Sequence, residues 1–179
     1  MKKIFLPLVC LSVFTISCGS DEKTVNEKTI DAREQAVVKQ STIEELGASV
    51  ILAFKENDVA KLNTLFPETE DVEKIVSVYS GSEKEKKSIL GGSEENTKKI
   101  QKNTIDAFSE ILNKGNKEGI KWDEVVFSNV EYTTKNENNI ETTDLKILFS
   151  YKENKYKIRI AECINTERGW LIFDRPQWF

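Results

Sequence analysis

Two carboxylates, Glu162 and Asp174, fall in register with the apolar residues of two neighbouring predicted strands. Because alternate residues of a strand share one face, both side chains should point towards the core. A buried carboxylate has a raised pKa and can act as a general acid or base. The face that they share gives a candidate ligand-binding site, in which Glu162 and Asp174 are also the candidate catalytic groups. The site consists of Tyr156, Glu162, Trp170 and Asp174.

Other placements of these two carboxylates remain open. Both come at strand ends near the rim of the sheet, where water or Arg175 would satisfy them. A β-bulge at Ala161–Glu162 would instead turn the Glu162 side chain outward. Structural groups also show perturbed pKa values, so the register alone does not identify a catalytic acid.

The chain has no histidine among its 179 residues. This excludes histidine-based triads, histidine-ligated metals and haem, and the usual proton shuttle at neutral pH. Its 26 Lys+Arg against 30 Asp+Glu give a net charge of −4, which argues against a nucleic-acid partner. Phosphate-loop, dinucleotide-binding and paired-cysteine motifs are missing, so we expect no cofactor and no metal site. Cys163 is most simply a small core hydrophobe.

Two large aromatic residues, Trp178 and Phe179, end the sequence. Side chains of this size are not expected to stay in water without a reason. They either fold back to cap the domain, which we favour, or form a contact with another subunit or an envelope protein.

The first seventeen residues have the pattern of an export signal. Met1–Lys3 is positively charged, and Ile4–Ile16 is an apolar run shorter than the roughly 20 residues that span a bilayer. Thr15–Cys18, with small residues ahead of a cysteine, resembles the lipobox of bacterial lipoproteins, in which that cysteine is lipidated and becomes the new N-terminus. The resemblance implies a signal peptide at residues 1–17 and a membrane contact through lipid on Cys18. An ordinary signal peptide and an uncleaved anchor are the alternatives.

Residues 18–40 are polar and charged, and we predict that this segment is a flexible tether behind the lipidated cysteine. Its start, Cys18–Lys23, is similar to the acidic export signal of surface lipoproteins in Bacteroidetes-type bacteria. We therefore expect the protein in the bacterial cell envelope, with the outer membrane favoured. Surface display and a periplasm-facing attachment both remain open.

Apolar residues recur at helical spacing in four segments after the tether. Thr42–Glu45 is a capping box, and Asp58 and Ser93 are the predicted N-caps of later helices. Ser82–Gly92 is predicted to be a charged connection. The predicted helices run from Thr42 to Glu56, from Asp58 to Pro67, from Val72 to Gly81 and from Ser93 to Gly115.

The period then changes to two in four segments separated by short polar breaks: 124–133, 144–151, 155–164 and 169–174. Four consecutive antiparallel strands form a meander. Helices that precede strands predict an α+β domain at residues 41–179, with the N-terminal helices packed on one face of a C-terminal four-stranded meander.

Two stretches of this domain resemble small cystatin-like members of the nuclear transport factor 2-like superfamily. The first is the opening helix with its Phe54–Asp58 junction and the Leu62–Phe66 segment, and the second is the closing Lys155–Ile158 and Gly169–Ile172 hairpin. The resemblance implies a cone in which a bent sheet wraps a long helix. The long Ser93–Lys114 helix departs from the pattern. Because the superfamily includes enzymes, binding modules and assembly domains, it does not fix the function.

Three functions agree with the sequence. The first, which we favour, is a lipid-anchored envelope accessory or binding domain without catalytic activity, holding a small ligand or an envelope protein. The second is a small enzyme of the cyclase, isomerase or hydrolase type that uses Glu162 or Asp174 as its base. The third is a structural envelope protein that contacts its partner through Trp178 and Phe179.

Overall fold

The computed structural model describes residues 39–179, so the predicted signal peptide at 1–17, Cys18 and nearly all of the predicted tether lie outside the described residues. Within 39–179 the α+β prediction is confirmed: helices come first and an antiparallel meander follows. The helices are α1 (Ile43–Glu56), α2 (Val59–Asn63), α3 (Thr69–Val78), α4 (Glu83–Gly91) and α5 (Ser93–Lys117). After a 3-10 turn at Trp122–Glu124 come the strands β1 (Val126–Glu137), β2 (Ile140–Tyr151), β3 (Asn154–Thr166), β4 (Gly169–Ile172) and β5 (Pro176–Trp178).

The start of the domain follows its local signals. Thr42 and Glu45 exchange two hydrogen bonds of 3.1 Å, which is the predicted capping box of α1. Asn57 ends α1 in the left-handed conformation (φ 50°), and the Asp58 side chain accepts from the Lys61 N–H to start α2. These N-cap predictions are confirmed.

Several helix boundaries differ from the prediction, and α3 runs over Thr69–Val78 instead of Val72 to Gly81. Ser82–Gly92 is not a plain connection, because Ser82 and Glu85 form a second capping box that starts α4. Ser93 does not cap α5; Gly92 occupies that position without a side-chain bond. Gly115 lies inside α5 and does not end it. The indole of Trp122 packs against this glycine, and a Cβ there would come within 2.4 Å of the ring.

The second predicted helix also ends early, since α2 stops at Asn63. Leu65 and Phe66, which the predicted helix included, are buried in the turn that follows α2. There the Leu65 carbonyl accepts a 2.8 Å hydrogen bond from the N–H of Ile172, which ties this turn to β4.

The sheet has five strands within the described residues, in the order β1-β2-β3-β4, with β5 also pairing to β3. β1 and β2 are longer than predicted and meet at the two-residue turn Asn138–Asn139, whose φ angles are 53° and 66°. Two consecutive positive φ values are typical of the type I′ turn that closes a tight hairpin.

The inner face of the sheet is filled by aromatic side chains from α1, α5 and the 3-10 turn. The ring of Phe54 stacks on Phe108 at 4.3 Å and on Trp122 at 5.0 Å, and Trp122 reaches Phe149 of β2 at 5.8 Å. All four side chains are buried. The helical layer and the sheet therefore share one core.

The folded part of the chain includes Gln40, which the sequence had placed in the tether. Gln40 is buried and forms a parallel bridge with Gly169, and its carbonyl accepts from the Trp170 N–H at 2.9 Å. Gly169 has φ +98°, and a Cβ there would lie 2.3 Å from the Gln40 carbonyl oxygen. Only glycine fits this close approach. Among the helices of this described part, none is long and apolar enough to cross a membrane.

Candidate functional site

A β-bulge in β3 takes Glu162 off the core face. β2 and β3 pair Leu145 with Ile160 and then Thr143 with Cys163, so Ala161 and Glu162 together lie opposite a single residue. The extra residue reverses the alternation beyond it, and Glu162 is exposed while Cys163 is buried. The prediction that Glu162 faces the core is therefore wrong, and the alternative of an outward-turning bulge is confirmed.

Asp174 nevertheless remains beside Glu162. The Glu162 carbonyl accepts from the N–H groups of Phe173 (2.9 Å) and Asp174 (3.2 Å), so β4 and β5 are interrupted opposite the bulge. Asp174 is half-buried, and its carboxylate accepts from the Arg175 N–H at 2.7 Å. Partial desolvation and the nearby charge of Asp174 raise the pKa of the Glu162 carboxyl.

An ion pair stands opposite the same bulge on the outer face. Arg159 holds Asp144 in a bidentate contact, with Nε–Oδ1 at 2.9 Å and a terminal guanidinium nitrogen 2.6 Å from Oδ2. Hydrogen bonding from Arg159 lowers the pKa of Asp144, and the same pair raises the pKa of Arg159. Over residues 39–179 no cluster of three acidic, cysteine or histidine side chains could hold a metal ion.

Tyr156 and Trp170 do not join the carboxylates in one cavity. Tyr156 packs on Phe149 (5.5 Å between ring centroids) and Trp178 (5.6 Å). Trp170 pairs with Asn165 near the far end of β3 and is 6% exposed. The predicted set of Tyr156, Glu162, Trp170 and Asp174 is thus divided among three places, and the inner face that it was expected to line is filled by the core.

The two terminal aromatic residues have different environments. Trp178 folds back against Ile158 as part of β5, and its ring lies 6.1 Å from Trp122, with the Lys114 ammonium 5.3 Å from the ring centre. Phe179 is 63% exposed, although its N–H donates to the Lys157 carbonyl at 2.9 Å. Phe179 is therefore the one of the two that presents its ring to solvent.

Cys163 is a free thiol buried in the core. Desolvation raises the pKa of this thiol far above its ordinary value. Because the thiolate is the reactive form, a nucleophilic role for Cys163 has no support here.

The structure contains a concavity that the sequence did not indicate. It has a volume of about 360 Å³ and lies between α3, α4, α5 and the segment linking β4 to β5; we call it the α5 groove. Its apolar lining residues are Val72, Ile89, Ile100 and Phe173, and its polar ones are Ser93, Asn96, Thr97, Lys99, Asn103, Asp174 and Arg175. Of the four residues of the predicted ligand site, Asp174 lines the α5 groove.

Thr97 gives the α5 groove an unusual feature. The residue is 4% exposed, and its hydroxyl oxygen is buried without any hydrogen-bond partner among the described residues. By contrast, Thr104, two turns further along α5, donates to the Ile100 carbonyl at 2.9 Å. A buried polar group without a partner is costly, so this hydroxyl lowers the stability of the helix beside the groove.

Sequence reasoning missed the α5 groove because its walls come from four separate segments. Ile89 was visible as an apolar residue in a charged stretch, and it is one wall residue whose pattern could have been noticed. No protein-family model matches this chain, and comparisons with curated proteins and with solved structures find no match either.

Proposed function

We propose that this chain is a lipid-anchored protein of a bacterial envelope whose domain binds a small amphipathic ligand in the α5 groove. The observation that carries the proposal is the α5 groove itself, a concavity of about 360 Å³ that is enclosed by four segments and lined by both apolar and polar side chains. That volume falls within the range of about 300–1,000 Å³ that is usual for small-molecule sites.

The lining supports a ligand with an apolar part and a polar part. Val72, Ile100 and Phe173 offer apolar surface, whose burial contributes roughly 25 cal/mol per Å². Asn96 and Asn103 offer amide donors and acceptors that could orient the polar part. A more open depression of about 570 Å³ exists beside Trp122, but no unpaired buried group is found there among the described residues.

The anchor remains part of the proposal. Lipid on Cys18 would attach the domain to the membrane, with the outer membrane favoured. The net charge of −4 does not favour binding to nucleic acid. The enzyme hypothesis loses Glu162 as a core-facing base, because Glu162 is exposed, and keeps Asp174, which is half-buried and lines the α5 groove. The structural hypothesis now depends on Phe179, since Trp178 is packed against the domain.

Two neighbouring branched aliphatic side chains of α4 provide a matched test of ligand binding. Ile89 lines the α5 groove and is 37% exposed, whereas Leu90 is 42% exposed and does not line it. The full chain in lipid nanodiscs would be mixed with naphthalene-1-sulfonate, an aromatic ring bearing an anion, and followed by saturation-transfer NMR against empty nanodiscs. We expect Ile89→Glu to lose the transfer signal and Leu90→Glu to keep it. Equal signals in the two variants would contradict the groove as the site.

The anchor is tested separately by labelling cells with radioactive palmitate. We expect the wild-type chain to incorporate label and Cys18→Ser to lose it. Continued incorporation in Cys18→Ser would refute that lipidation site without affecting the groove.

A further inference from the structure

The outer edge of β1 is unpaired. β1 pairs with β2 only, and no other strand of residues 39–179 lies along its second edge. Every residue from Glu131 to Glu137 is exposed, and this stretch contains no proline. The bulge in β1 comes earlier, between Phe127 and Asn129. Such an edge presents free backbone N–H and C=O groups that another strand can pair with.

The turn at Asn138–Asn139 fixes which backbone groups face this open edge. In a two-residue hairpin the flanking pair, here Glu137 and Ile140, exchanges hydrogen bonds, and the bonded pairs then alternate along the ladder. The odd-numbered residues of this stretch therefore bond to β2. The even-numbered residues direct their N–H and C=O groups outward: Val130, Tyr132, Thr134 and Asn136.

We propose that two copies of this chain join through their β1 edges, antiparallel, with Thr133 opposite Thr133 of the second copy. This register places the outward-bonding Tyr132 opposite Thr134 of the second copy, so donors and acceptors meet. It also places Glu131 opposite Lys135 of the second copy, twice by symmetry. Oppositely charged residues that face each other across strands are favourable.

Charge selects this register over its neighbours. Glu131 and Lys135 are the charged residues between Val130 and Asn136. A symmetry axis moved to Thr134 would place Glu131 opposite Glu137, and an axis at Glu131 or Lys135 would bring like charges together. An axis at Tyr132 would place Glu131 opposite Thr133 and Lys135 opposite Asn129, so that register lacks the two ion pairs. Lys135 has no salt-bridge partner in the described part of the chain, whereas Glu131 also contacts Lys157 at 3.2 Å. The second copy would supply the missing partner of Lys135.

The two-fold symmetry also fixes where the two helical layers lie. A two-fold axis that continues a sheet edge to edge is perpendicular to the sheet, so the helices of both copies lie on the same face. Each five-stranded sheet then becomes half of one continuous sheet. Both open β1 edges disappear in the process.

Single cysteines in the full chain test the register in intact membranes. In a non-hydrogen-bonded antiparallel pair the Cα atoms are about 4.5 Å apart, within disulfide range. We expect Thr133→Cys to form a disulfide-linked dimer under mild oxidation. Glu131→Cys and Lys135→Cys should not dimerise alone, but should form a mixed disulfide when two differently tagged chains are expressed together.

A charge swap tests the same contact without cysteine. Lys135→Glu should reduce the Thr133→Cys cross-link at least several-fold, because four carboxylates then face each other. Adding Glu131→Lys to the same chain should restore it. If Thr133→Cys cross-links no more than Glu137→Cys, or if charge reversal leaves the cross-link unchanged, the paired edge is refuted. Pairing with a different protein would give that same negative result, and a loss of naphthalene-1-sulfonate binding would not affect this test.

Discussion

The Asp71 carboxylate accepts a 2.6 Å hydrogen bond from the Arg168 guanidinium and so joins the start of α3 to the turn between β3 and β4. The Asp71 side chain is 3% exposed and that of Arg168 is 21% exposed. Asp71 also accepts from the Glu68 N–H at 2.8 Å, and Arg168 donates to the Thr64 carbonyl. This nearly buried pair connects the helical layer with the sheet.

Asp71→Ala should lower the free energy of unfolding by about 2 kcal/mol, because it removes the charge-assisted hydrogen bond from Arg168 and leaves that guanidinium to the Thr64 carbonyl and to Glu68 at 3.4 Å. Urea unfolding followed by circular dichroism measures the change. Glu167→Ala is the matched control, since Glu167 pairs with Lys74 between the same two elements but both side chains are more than half exposed. That variant should change stability by less than about 1 kcal/mol. Equal losses in both variants would contradict the difference in burial.

Gly115→Ala should destabilise the domain although alanine is the better helix former. A Cβ at this position would lie 2.4 Å from the Trp122 ring, whose Nε1 donates to the Leu112 carbonyl and cannot shift freely. Overpacking of this kind costs about 1–3 kcal/mol, more than the roughly 1 kcal/mol gained in helix propensity. Gly91→Ala, where no atom lies within 4 Å of the added Cβ, should instead be neutral or stabilising by about 0.5 kcal/mol. Thermal unfolding would show whether Gly115→Ala lowers the midpoint of unfolding while Gly91→Ala keeps or raises it.

The raised pKa of Glu162 predicts a pH dependence of stability. The folded chain binds the Glu162 proton more tightly than the unfolded chain, so this group's contribution to stability falls as pH rises from its ordinary value through the raised one. Glu162→Gln removes that loss and should be slightly more stable at pH 7, by less than about 1 kcal/mol, because the side chain is exposed. Denaturant unfolding between pH 4 and pH 7 measures the slope.

The pKa of Asp144 is shifted in the opposite direction, so its effect on the pH dependence of stability has the opposite sign and Asp144 serves as the control. Its pKa is lowered by Arg159, so its contribution is present above its ordinary value and is lost as pH falls through the lowered one. Asp144→Asn should therefore be less stable at pH 7, by up to about 1 kcal/mol, and flatter towards acid. If Glu162→Gln and Asp144→Asn shift stability at pH 7 in the same direction, the causes assigned to the two pKa shifts are wrong.

Thr97→Val should stabilise the ligand-free domain by about 1 kcal/mol, because it replaces an unpaired buried hydroxyl with a methyl group of similar shape. Thr104→Val should destabilise by a similar amount, since it removes the bond to the Ile100 carbonyl. Thermal unfolding of both variants is the measurement. A loss of stability in Thr97→Val would mean that its hydroxyl is satisfied in solution.

The sequence predicted those features whose signals are local. The Thr42–Glu45 box and the Asp58 cap are bonds between residues three apart, and the alternation of β2 gives its buried side directly. The Ser82–Glu85 box is an equally local signal. The residues that follow it are mostly charged and show no clear apolar period, so the sequence did not predict α4. Local signals therefore predicted the fold class well.

Features that depend on distant contacts were not predictable in this way. The exposure of Glu162 results from one extra residue in β3, and alternation cannot reveal a bulge that its partner strand defines. A glycine after a helical stretch predicts a helix end, but Gly115 lies within α5 because the Trp122 ring, which comes from the following turn, leaves no room for a Cβ. The α5 groove forms where four segments meet, and one of them is the link between β4 and β5 around Asp174. No local sequence pattern predicts such a meeting.

The bond between Leu65 and Ile172 also has a consequence for biosynthesis. The helices leave the ribosome before the strands, yet the turn after α2 is completed only by β4, more than one hundred residues further along the chain. Until β4 has been synthesised, the apolar faces of α1 and α5 have no complete sheet to cover them. The apolar faces of the helices are therefore exposed in the nascent chain until the strands that cover them have been synthesised and paired.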